Sequence, residues 1–111
     1  MSSLKRMLVA LTITYALSLS AYAEECVPPP APSKIPDGKT ASEQEMLTAH
    51  DTMKQYADDV TTYVNCLEFE VKQRELSPAQ EKDKRNSAID TAQKVTAKFN
   101  DQLKVFKAKS G

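Results

Sequence analysis

The stretch that decides the fold is TASEQEMLTAHDTMKQYADDVTTYVNCLEFEVKQRELSP, residues 40–78. No Gly and no Pro interrupts it before Pro78. Met46, Met53, Val60 and Leu67 recur every seven residues, with Ala49, Tyr56 and Tyr63 as a companion row. Ala57, Val64 and Val71 widen the stripe. Apolar residues at this spacing form one face of a helix, here sustained for about four heptads. Ser42 and Glu45 stand three apart, as a capping box requires. Thr40 and Glu43 offer the same spacing, so two starts compete. Glu43 and Glu45 also suit the positive end of the helix dipole.

Leu76-Ser77-Pro78 breaks the run. Proline is unfavourable inside a helix but suits its first position, and Ser77 with Gln80 three residues on makes a second capping pair. A second helix therefore starts at Pro78. Its apolar positions are Ile89, Ala92, Phe99, Leu103 and Phe106, with Thr96 in the row and Ala88 and Val95 beside it. Lys104, Lys107 and Lys109 lie where a helix end favours positive charge. Two long helices over about 42–75 and 78–108, joined by so short a link, predict an all-α, antiparallel, coiled-coil-like two-helix hairpin spanning 42–109. With the fold point at 76–77, position i meets roughly position 153 − i. Val64 then lands on Ile89, Val60 beside Ala92, Met53 beside Phe99 and Met46 beside Phe106. The predicted seam is Met46, Met53, Val60, Val64, Leu67, Ile89, Ala92, Phe99, Leu103 and Phe106. Segment 43–75 carries eight acids and three bases, and segment 78–109 four acids and eight bases, so opposite signs favour the pairing.

Working outward toward the start of the chain, residues 24–41 hold Pro28, Pro29, Pro30, Pro32 and Pro36. Consecutive prolines exclude helix and favour extended polyproline II, and Pro36-Asp37-Gly38 reads as a tight turn. Further out, Lys5 and Arg6 precede a mostly apolar run from Met7 to Leu19, followed by Ala21-Tyr22-Ala23. This is the pattern of a secretory signal peptide over 1–23, with cleavage after Ala23. The run is too short for an anchor, since spanning takes about 20 apolar residues. Glu24 and Glu25 before Cys26 argue against lipidation there. Cleavage would leave an exported chain with no integral membrane segment, periplasmic in setting or alternatively extracellular. Removing Lys5 and Arg6 from the 15 basic residues leaves 13 against 15 acidic.

Export decides how Cys26 and Cys66 are read. In an oxidising compartment an even pair of cysteines forms a bridge, and 40 positions of separation are unlike any C-x-x-C redox motif. From Ser42 to Cys66 is about 36 Å of helix. From Cys26 to Ser42 is about 50 Å of polyproline II. The Pro-rich leader is long enough to turn at Pro36–Gly38 and run back along the first helix as a third, non-helical layer. Val27 and Ile35 would cover apolar surface, and Tyr56, Tyr63 and Phe69 would receive the prolines. A leader tied at its start is neither a loose tail nor a free SH3-type ligand.

Composition and motifs limit the chemistry. The chain has 111 residues, net charge zero, 2 Gly and 1 His, so neither a basic nucleic-acid surface nor a Gly-rich phosphate loop is expected. His50 has Met46 and Lys54 one turn away, which supply no metal ligand set, and Asp58, Asp59, Glu68 and Glu70 read as solvated helix faces. A bare hairpin is expected to offer no cleft for acid–base chemistry. No catalytic residue, cofactor or metal is expected. Met46 and Met53 read as core rather than as adaptable binding residues.

Cys26-Val27-Pro28-Pro29, then Ile35-Pro36-Asp37-Gly38-Lys39-Thr40-Ala41-Ser42, then Tyr63-x-x-Cys66-Leu67-x-x-Glu70 together resemble a group of small exported proteobacterial helical proteins. The resemblance spans about residues 26–71. It implies a Gram-negative periplasmic setting and brings neither an activity nor catalytic residues. The resulting expectation is a non-enzymatic interaction or structural protein. It would act through hairpin contacts with an unknown protein partner or with a second copy, as a dimer. The alternative is a small chaperone-like or envelope-associated binder of unfolded or amphipathic clients.

Overall fold

The structure, a computed structural model, describes residues 25–110. The expected signal peptide lies outside these residues. Helix α1 spans Glu43–Lys72 and helix α2 spans Pro78–Ser110, packed as an antiparallel hairpin. No helix among the described residues is long and apolar enough to cross a membrane.

Both helix starts follow from capping chemistry. The Ser42 hydroxyl accepts from Glu45 N–H at 3.1 Å, and Ser42 N–H donates to the Glu45 carboxylate at 3.0 Å. Of the two competing starts, Ser42 is the cap. Ser77 and Gln80 repeat the reciprocal pair at 3.1 Å each way. Each box satisfies two backbone donors that a helix start would otherwise leave open.

The end of α1 differs from expectation. It stops at Lys72, three residues before the expected Glu75. Arg74 N–H donates to the Val71 carbonyl and Glu75 N–H to the Glu70 carbonyl, with Arg74 at φ 59°. That is a Schellman ending with arginine at the left-handed position usually held by glycine. The reversal turns Leu76 inward, where it is buried with Tyr63, Leu67 and Ala88. At the other end α2 runs to Ser110, past the expected 108.

Because the link is 73–77, its centre lies near residue 75 rather than at 76–77. The core responds. Tyr63 shares a cluster with Ala88, while Met46, Ala49 and Met53 gather with Phe99, Leu103 and Phe106. Ile89, expected in the seam opposite Val64, is instead 38% exposed. Ala88 holds the buried position, because it stands four before Ala92 and eleven before Phe99, on the face that the heptad turns inward. Met46, Val60, Leu67 and Phe99 are buried, and Met53, Val64, Ala92, Leu103 and Phe106 partly so.

The leader is a third layer. Cys26, Pro29, Ala31, Pro32, Ile35, Pro36 and Gly38 are buried or half-buried, whereas Val27, Pro28, Pro30, Ser33, Lys34 and Asp37 are exposed. Cys26, Pro29, Pro32, Ile35 and Gly38 stand three apart, the period of a polyproline II helix, and half-buried Ala31 and Pro36 flank that edge. The segment is thus a strap lying on the hairpin with one of its three edges down. Two expected contacts fail. Val27 is 76% exposed because it lies between inward positions, and Phe69 is 60% exposed because it points off the seam face of α1.

Candidate functional site

The motif residues prove to be the fastenings of this strap. At the closed end of the hairpin, Cys26 is bridged to Cys66, with Cα atoms 5.9 Å apart. Cys26 N–H donates to Glu70 Oε1 at 2.8 Å in a buried hydrogen bond. Leu67, fully buried at 0% exposure, packs with Tyr63 and Cys26 in the same cluster. Tyr63, Cys66, Leu67 and Glu70 therefore all belong to the environment of one leader residue. Burial first, and the charge of Glu70 second, push the Tyr63 hydroxyl above its ordinary pKa of 10.0.

At the open end, the turn before α1 is clasped to α2. The Asp37 carbonyl accepts from Thr40 and Ala41 N–H, and its carboxylate from Lys39 N–H at 2.9 Å. Gly38 N–H donates to Gln102 Oε1 at 2.9 Å. A side chain at Gly38 would run into the Gln102 carbonyl and the Phe106 backbone, so glycine is required here by close approach. The Lys109 ammonium donates to the Lys39 and Ala41 carbonyls at 3.2 and 3.1 Å and lies 5.0 Å from the Phe106 ring centre. Ile35 and buried Ala41 complete the apolar cluster around Met46 and Phe99.

Open clefts flank the strap, contrary to the expectation of none, because the strap adds walls that a bare hairpin lacks. One, of about 790 Å³, lies between Pro32–Asp37 and the first turns of α1, with Met53 and Phe99 at its base. Another, of about 710 Å³, lies between Val27–Pro29 and a floor of Tyr56, Val60 and Ala88.

Among the described residues, one group of His, Cys, Asp or Glu side chains gathers closely enough to hold a metal ion. It comprises both cysteine sulfurs and a Glu70 oxygen, all within 4.8 Å of one another. With the bridge formed, the sulfurs are not the thiolates that bind metals. The arrangement acts on the bridge instead. A carboxylate beside a nascent thiolate disfavours it, which makes reduction harder. His50 is exposed, with Nδ1 3.5 Å from the exposed Asp51 carboxylate. Asp58 and Glu68 are exposed, and Asp59 accepts from Gln55 Nε2 at 2.9 Å.

Glu70 is the correction in this group. It was expected on a solvated face and is buried against Cys26. Its heptad place, seven beyond Tyr63 and fourteen beyond Tyr56, carries that information, but the carboxylate masks it. Glu81 is likewise buried, seven before Ala88, and is paired with Arg85 at 2.6 Å. No protein family, curated protein or solved structure matches this chain.

Proposed function

We propose that the chain is an exported, non-enzymatic interaction protein of the periplasm that presents a stiffened helical hairpin to protein partners. One observation carries the reading. The residues of the three motif segments are spent on fastening the strap, in a bridge from Cys26 to Cys66, a buried carboxylate bond from Cys26 to Glu70, a glycine contact to Gln102 and a cap with Glu45. Such fastening holds a surface in shape and leaves the hairpin's outer faces as the working part. The second reading, a holder of unfolded or amphipathic clients, is favoured by the exposure of Leu47 at 52% and of Ile89 on helices long enough to receive a client segment.

Photo-cross-linking in intact cells tests both. A photoreactive residue at Asp58 or Val64 of the exported protein should yield discrete protein adducts under the first reading. A smear of many clients that grows under unfolding stress supports the second. Recovery of the chain only as an unadducted species at both positions would sink the two together. Mass spectrometry of the exported form should find its first residue at Glu24.

A further inference from the structure

The strap covers one side of the hairpin, and the other side carries apolar residues with nothing over them. Two residues along a helix is about 200° of rotation. Cys66 faces the strap, so Val64 faces away from it. Lys98 and Val105 line a surface cleft with the leader turn, so Thr96 and Leu103 face away on α2. Counted from the link's centre near residue 75, Val64 stands level with Asn86 and within one turn of Ile89, and Ala57 level with Gln93 and within one turn of Thr96. Leu47, Ala57, Val64 and Val71 of α1 and Ile89 and Leu103 of α2 therefore form an apolar face along the uncovered side, exposed at Leu47, Ala57 and Ile89 and half-buried at Val64, Val71 and Leu103. The next row on α2 is Asn86, Gln93 and Asn100, without charge until Lys107 near its end, and the matching row of α1 is Leu47, Lys54, Thr61 and Glu68, whereas the outward row of α2 includes Asp83, Asp90 and Lys104. Loss of charge toward a patch centre marks interfaces.

We infer that this face is the interface of a two-fold homodimer, in which each α1 lies antiparallel across the partner's α2 to form a four-helix bundle. The inference rests on, and deepens, the reading of the chain as an interaction protein. Charge chooses both occupant and orientation. Residues seven apart share a face, so Asp59 lies with Cys66 toward the strap and Glu70 is buried beneath it, while the uncovered side of α1 carries Glu43 and Glu68 with Lys54, and that of α2 carries Lys82 and Lys107. Two hairpins stacked face to face admit two simple axes. An axis across the hairpin sets acidic α1 on acidic α1 and basic α2 on basic α2. An axis along the hairpin sets each acidic helix on a basic one, with all neighbouring helices antiparallel. A second copy thus supplies the complement that the first lacks. The area also suffices. A face about 45 Å long and two helices wide, about 20 Å, gives roughly 900 Å² per copy, against the roughly 800 Å² per partner of a stable interface.

Light scattering on the oxidised, exported protein should give twice the chain mass. Ile89→Glu places an acid against the partner's acidic α1 and should weaken the dimer by at least about tenfold. Helix content should be retained, because Ile89 is already exposed in the single chain. A photoreactive residue at position 89 should label the partner's α1 near residues 58–65. One chain mass at every accessible concentration overturns the inference, as does labelling of the partner's α2 instead of its α1. A single-chain mass together with discrete foreign adducts in cells would remove the dimer and leave the interaction reading standing.

Discussion

Gly38 concentrates the most consequence in the fewest atoms. Its neighbours are the backbone of Gln102 and Phe106, which no rotamer change can clear. Gly38→Ala should lift the turn off α2 and lower unfolding free energy by about 2 kcal/mol, read from chemical denaturation. Glu70 works through charge. Glu70→Gln keeps an acceptor for Cys26 N–H but removes the negative charge beside the sulfurs. The freed thiols should become more acidic and the bridge easier to reduce, so its midpoint in a redox titration should move to a less negative potential. Tyr63 supplies a pH dependence. Its folded pKa lies above its ordinary 10.0, so its contribution to stability is full below that value and is lost as pH rises from there through the folded pKa. Denaturation midpoints should fall across that alkaline window in the wild type and fall less in Tyr63→Phe.

At the scale of elements, the boundaries set by side-chain chemistry were legible and those set by backbone chemistry were not. Ser42 with Glu45, and Ser77 with Gln80 before an N1 proline, announce both helix starts in plain residue types. The end of α1 carries no such mark, because Arg74 occupies a conformation that glycine ordinarily advertises. Three residues of helix were therefore expected that do not form. On α2, spacings of three and four admit both Ala88 and Ile89 ahead of Ala92, so the pattern alone does not choose Ala88 for the buried place. Arg74→Gly should relieve the left-handed strain and raise stability by about 1 kcal/mol, without moving the helix end, in a thermal melt followed by circular dichroism. Glu70 and Glu81 were obscured differently. They sit on the heptad, but their carboxylates read as surface until a bonding partner is seen.

For the molecule as a whole, the hairpin and the Cys26–Cys66 bridge follow from periodicity and cysteine count, whereas the strap's contacts do not. Its threefold burial depends on which edge of a proline-rich helix faces down. That edge is chosen at a distance, by Cys66 above and Gln102 below. Reduction of the bridge should cost about 4 kcal/mol and open residues 27–34 to protease well before the helices yield. The same bridge also decides how the protein bears load. A pull applied at Glu25 and Ser110 passes from Cys26 directly to Cys66, and the intervening chain, with all of the strap and most of α1, carries no tension. Only the segment beyond Cys66 pays out, roughly 150 Å at about 3.5 Å per residue, until a reductant lets the hidden half follow.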